Sequence, residues 1–133
     1  MALGKLCLIL LCTNSYAQGW QQSAYKNWHH YEGMAGFVYN LSKHYSNRLS
    51  EDDSRYHGKA VYFALNSLET GEAAEWFNDR THSHGKAQIK LTWMASGNTC
   101  RAVYSYVISD KKMFSYNDKA CYNNSTKTWD FIE

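Results

Sequence analysis

A chain of 133 residues, 44% hydrophobic and 20% charged, has material for one globular domain with a single modest core, which excludes a multidomain assembly. Its formal charge of +2, with fourteen Lys and Arg dispersed along the chain, excludes the dense basic footprint of a nucleic-acid binder. Aromatic residues reach 16%, with eleven Tyr and five Trp against no Pro, a balance that suits pleated sheet with aromatic side chains packed on its faces.

Taken in chain order, Lys5 supplies a short positive head, Leu6 to Cys12 form an apolar run, and Ser15-Tyr16-Ala17 places small residues where a signal peptidase cuts. Residues 1–17 are therefore expected to be a signal peptide, leaving Gln18 as the mature N-terminus. The run is far shorter than the roughly 20 residues that span a bilayer as a helix, so no transmembrane span is expected in the mature chain. A lipid-modified Cys12 is disfavoured by the bulky Leu11 before it. Export removes Cys7 and Cys12 and leaves Cys100 and Cys121, a pair that most simply forms a disulfide in an oxidising compartment. Two thiols cannot close a tetrahedral zinc site, and their separation is unlike a C-x-x-C redox pair.

Residues 18–48 read as an N-terminal arm and helix. From Trp28 onward Tyr31, Ala35, Val38, Leu41 and Tyr45 recur at helical spacing, weakened by Gly33 and Gly36. A second helix is predicted over 51–67. Ser50 is its N-cap, Glu51, Asp52 and Asp53 suit the positive end of its dipole, and Tyr56, Ala60, Val61, Ala64, Leu65 and Leu68 make its apolar face before a stop at Thr70-Gly71.

Beyond Gly71 the period becomes alternating. Strands are predicted over 72–78, 86–94, 99–109, 113–122 and 128–132, with turns at Asn78-Asp79 and His84-Gly85, at Ser96-Gly97-Asn98, at Asp110-Lys111-Lys112 and at Asn123-Asn124-Ser125. Such short links imply an antiparallel meander. In the third strand Cys100, Ala102, Tyr104, Tyr106 and Ile108 share one face, and Arg101, Val103, Ser105 and Val107 the other. A turn at 110–112 brings Cys100 opposite Cys121, closing the open end of the hairpin with a disulfide. The expected fold is α+β: N-terminal helices packed on a five-stranded antiparallel meander with one disulfide.

No catalytic constellation emerges. There is no Gly-x-Ser-x-Gly elbow, P-loop or dinucleotide fingerprint, and the acidic cluster at 51–53 is accounted for by helix initiation. His82 and His84 sit near Asp79, but a transition-metal site would need further ligands, with His57 and Asp79 the nearest guesses, and a solvated polar loop is the simpler reading. His29, His30 and His44 are expected on the surface of the first helix. Neither catalytic residues nor a metal or cofactor is expected. Arg101 is expected to stack on an aromatic ring or to pair with Glu72 or Glu75, its functional alternative being contact with an anionic ligand such as a lipid head group or a glycan acid.

Gly97, Cys100-Arg101, Tyr104, Ala120-Cys121 and a closing Trp129 together resemble the C-terminal domain of the bacterial 17 kDa outer-membrane surface-antigen family. The helix ending in Ala64-Leu65, followed by Gly71 and Trp76-Phe77, looks like the lead into that domain, so the resemblance spans 49–133. It implies a non-enzymatic exported protein of the periplasm or outer membrane, in a structural or binding role toward envelope protein, lipid or peptidoglycan. Arg101, Tyr104 and Trp129 are the positions at which ligand or ion-pair contact is expected. The competing expectation is a small secreted binding or inhibitory module that uses an aromatic sheet face.

Overall fold

The computed structural model describes residues 34–45 and 48–132. Two helices, α1 (Met34–Tyr45) and α2 (Glu51–Ser67), precede five strands, β1 (Ala73–Phe77), β2 (His84–Ala95), β3 (Asn98–Ser109), β4 (Lys112–Asn123) and β5 (Thr128–Ile132). The strands pair antiparallel in the order β1-β2-β3-β4-β5, so the chain is an α+β meander. The expected signal peptide and the start of the first helix at Trp28 and Tyr31 lie outside the described residues, as do His29 and His30. Among the described residues no helix is long and apolar enough to cross a membrane.

Helix α1 buries Phe37, Val38, Leu41 and Tyr45, one stripe along its length, while Lys43 and His44 oppose the negative end of its dipole. After Leu49, the Ser50 hydroxyl accepts a hydrogen bond from the Asp53 backbone N–H at 3.1 Å, the N-cap that the sequence predicts, a contact worth about 1 kcal/mol. Helix α2 then ends where the Leu68 N–H reaches the Ala64 carbonyl. Its buried side, which includes Ala60, Val61, Ala64 and Leu65, lies on the sheet, and α1 packs on α2.

The sheet's inward positions are read from its register. Ala74 and Trp76 of β1 sit opposite Ala87 and Gly85 of β2, Ile89 sits opposite Val103, and Tyr116 opposite Ser105. A register shift between Ile89 and Leu91 lets β2 run to twelve residues without losing alignment with β3. The predicted turn at His84-Gly85 is not a turn: both residues belong to β2 and pair with Phe77 and Trp76. Gly85 is required there, because a Cβ would meet the Trp76 indole and come within 2.7 Å of the Tyr106 carbonyl. The hairpin between β3 and β4 is also tighter than predicted. Asp110 and Lys111 alone form it, both at positive φ, and Lys112 already pairs with Ser109. The remaining predicted strand ends agree with the structure to within one residue.

Cys100 and Cys121 are direct cross-strand partners joined by a disulfide, with Cα atoms 4.0 Å apart. The bond closes a loop whose entropy in the unfolded chain corresponds to about 3 kcal/mol.

Candidate functional site

Between the helices and the sheet runs a chain of buried polar groups. Trp76 Nε1–H donates to His57 Nδ1 at 2.9 Å, and His57 Nε2 lies 2.9 Å from the Ser105 hydroxyl. Tyr45 adjoins Ser105, and its hydroxyl donates to Asp118 Oδ2 at 3.2 Å. An indole nitrogen can only donate, so Nδ1 must accept and the proton of the neutral ring sits on Nε2. The chain therefore has one direction, from Trp76 to Asp118, and it ties together both helices and strands β1, β3 and β4. Complete burial holds His57 neutral by pushing its pKa down to about 3. Burial raises the Tyr45 hydroxyl well above its ordinary value, with the neighbouring Asp118 charge adding to it. Asp118 is itself raised by burial, against the lowering effects of His44 and the Tyr45 hydrogen bond.

Ser105 beside His57 has the composition of a nucleophile and its base, yet the polarity is reversed. A general base would accept the serine proton at Nε2, whereas here Nε2–H points to the hydroxyl and Nδ1 is occupied by Trp76. Both residues are fully buried, so the pair ties α2 to β3 within the core. His57 was legible as an inward residue, since 57, 61, 64 and 68 fall on one helical stripe.

The acidic start of α2 does more than favour the helix dipole. Asn78 Nδ2 donates to Asp52 Oδ2 and Asp53 Oδ1 at 2.8 Å each, Thr81 Oγ1 donates to Asp53 Oδ1 at 2.7 Å, and Arg80 pairs with Asp52 at 2.5 Å. The carboxylates thus clasp the β1–β2 loop against the helix. The Arg80 and Asn78 hydrogen bonds lower the Asp52 pKa. The expectation that residues 51–53 serve helix initiation alone is corrected accordingly.

Arg101 departs from its expected partners. It faces inward, and its Nη1 donates to the backbone carbonyls of Ala64 and Leu65 at 3.2 and 2.9 Å and to that of Leu68. It therefore caps the C-terminal end of α2, adding to the Leu68 N–H bond at the Ala64 carbonyl and supplying a donor to the carbonyls of Leu65 and the C-cap Leu68. Glu75 points to the opposite face, where it lies 3.9 Å from Lys86, and Glu72 accepts from the Glu69 N–H. Alternation along the strands separates Arg101 from Glu75 and explains the correction. Burial lowers the Arg101 pKa.

Trp129 joins Arg101 on this inward side. Together with Leu65, Asn66, Thr99 and Tyr122 they line a cavity of about 230 Å³. The Trp129 ring packs edge-on against Tyr122 with centroids 5.4 Å apart. Tyr104 is not part of this group. It lies on the outward face, between Gln88 of β2 and Asn117 of β4.

Among the described residues that outward face carries no helix. On it Tyr106 sits between Lys86 and Ser115, Trp93 beside Cys100, and His84 between Phe77 and Ile108. Leu91 and Met113 on the same face are 63% and 57% exposed, while Tyr104, Tyr106 and Trp93 are half-buried by their neighbours. The result is a flat surface in which aromatic rings alternate with amide, hydroxyl and amine groups. His84 lies on this face and His82 in the loop before it, both exposed. His57 is buried on the other side of the sheet, so the sequence's guess at a shared metal site does not assemble. Among the described residues no three His, Cys, Asp or Glu side chains are grouped to hold a metal ion.

No family model, curated protein or solved structure matches this chain.

Proposed function

We propose that this protein is a non-enzymatic, exported component of the cell envelope that acts by binding through the open face of its sheet. The observation that carries the reading is the set of Tyr104, Tyr106 and Trp93 on a face that neither α1 nor α2 covers, interleaved with Gln88, Asn117 and Lys86. Tyr and Trp offer large, stiff contact area together with a hydrogen-bonding group, and little side-chain entropy is lost when they are held by a partner. Contiguous apolar surface of this kind marks sites of interaction. Export is supported by the N-terminal apolar run with its small-residue cleavage site, and by the Cys100–Cys121 disulfide, a bond of oxidising compartments. The order Cys100-Arg101, Ala120-Cys121 and Trp129, with its resemblance to surface antigens, supports the periplasm or outer membrane as the location. The partner is then an envelope protein, lipid or peptidoglycan.

Fractionation of cells expressing the full chain tests this. The protein should sediment with the membrane or peptidoglycan fraction, and a Y104S/Y106S variant should move to the soluble exported fraction. Recovery of the unaltered protein in the medium would instead support a secreted binding or inhibitory module that uses the same face. Equal sedimentation of the double variant would show that the open face is not the contact surface.

A further inference from the structure

Folded proteins rarely leave buried polar atoms without a partner, and where they do an unseen water or ion is a common reason. Among the described residues five buried side-chain atoms lack one: Ser54 Oγ, Arg101 Nε, Tyr116 Oη, Thr128 Oγ1 and Trp129 Nε1. Arg101 of β3 and Trp129 of β5 belong to one neighbourhood, on the inward side of the sheet with β4 between their strands. Arg101 and Trp129 line the cavity of about 230 Å³ on the inward side, remote from the open face.

The charged side chains of that cavity have one sign. Arg101 contributes a cation and an idle Nε–H, Trp129 is only 7% exposed and contributes an idle indole N–H, and Asn66, Thr99 and Tyr122 add neutral polar groups. No acidic side chain is among these lining residues. The Arg101 guanidinium has hydrogen bonds to neutral backbone carbonyls but no carboxylate partner among the described residues. A partly desolvated cation without a counter-ion, beside a second donor that cannot accept, calls for an anionic acceptor. The space exceeds the roughly 30 Å³ share of a single water several-fold.

We propose that the cavity between the C-terminal end of α2 and strands β3 and β5 binds an oxyanion, a carboxylate or a phosphate group, with Arg101 Nε–H and Trp129 Nε1–H as its donors. Guanidinium groups recognise both anions through charge-assisted hydrogen bonds, and the indole N–H adds direction. Access requires a small opening of the side chains around Trp129, because both donor atoms lie beneath the surface in the unliganded protein.

The test is a titration of the ¹⁵N-labelled, disulfide-bonded protein with inorganic phosphate, with acetate and with chloride at constant ionic strength, followed by NMR. The expected result is a saturable shift of the Trp129 indole and Arg101 Nε–H resonances with phosphate, acetate or both, and none with chloride. Saturation by phosphate alone assigns a phosphate ester such as a lipid head group. Saturation by acetate alone assigns a carboxylate such as a glycan acid. W129F keeps an aromatic side chain and removes the donor, and the variant, once shown to be folded with its disulfide intact, should bind about tenfold more weakly. Absence of saturation with phosphate and acetate, an equal response to chloride, or unchanged affinity in a folded W129F would each overturn the proposal. None of these readouts depends on Tyr104 or Tyr106, so the outcome is separate from that of envelope sedimentation.

Discussion

The inward face of the sheet presents Trp76, Ala87, Ile89, Val103, Ser105 and Val107, each no more than 1% exposed, whereas Phe77, Leu91 and Met113 on the outward face are 43%, 63% and 57% exposed. Both faces are rich in apolar and aromatic side chains, and they differ in what lies above them. On the inward side two helices exclude water, so a buried polar group without a partner is costly, and the chain from Trp76 through His57 and Ser105 pairs its own members. On the outward side Lys86, Gln88 and Asn117 remain hydrated and separate the rings. Comparison of the faces teaches that aromatic content alone does not locate the core. The same tyrosine is structural under a helix and available on an open face.

Four measurements can break or sharpen this contrast. The largest effect is expected for H57A, which leaves a void and strands the Trp76 N–H and the Ser105 hydroxyl. Denaturant unfolding should show a loss of about 3–5 kcal/mol, a large share of the stability of a domain this size. A loss under about 1 kcal/mol would show that the buried polar chain is dispensable.

Acid should act on the same residue. Folded His57 stays neutral down to about 3, while the unfolded ring takes up a proton near 6.5, so between these values the unfolded state binds the extra proton. The His57 contribution is complete above pH 6.5 and is lost as pH falls, at up to about 1.4 kcal/mol per pH unit. The lowered Asp52 adds to the acid loss and the raised Asp118 opposes it. H57Q should therefore flatten the stability profile between pH 6.5 and about 3, and an unchanged slope would remove His57 as its source.

The disulfide lies on the open face but acts through the unfolded chain. C100S/C121S should lower stability by about 3 kcal/mol in the same unfolding assay, and retention of full stability would show that the hairpin needs no staple. The smallest effect on stability is expected for Y104S/Y106S, below about 1 kcal/mol, since cross-strand contacts on an exposed face contribute only tenths each. A large loss in thermal melts would place these rings in the structural half of the comparison and weaken the binding reading.

Much of the architecture was legible in the chain. The switch from helical to alternating period at Gly71, the Ser50 cap and the cysteine pair led to the right elements, their order and the Cys100–Cys121 bond, because each rests on contacts between near neighbours or on one short hairpin. The β1–β2 turn was misplaced because Gly85 looks like a turn residue. Its real role, making room for Trp76, depends on a strand partner several residues away. Arg101 was correctly set on the face opposite Tyr104 by alternation, yet its partners were missed because the end of α2 lies more than thirty positions earlier in the chain.

By itself the sequence determined the periodicities, the caps, the turn chemistry and the hairpin that pairs Cys100 with Cys121, since these are set by local sterics and hydrogen bonding. Only the tertiary structure decided which sheet face the helices would cover. That choice buried His57 and Ser105 as a proton-ordered pair, turned Arg101 into a helix cap beside Trp129, and left Tyr104 and Tyr106 in the open. The physical reason is that burial is a property of the whole packing arrangement: a strand offers two chemically similar faces, and what comes to rest on one of them fixes the meaning of both.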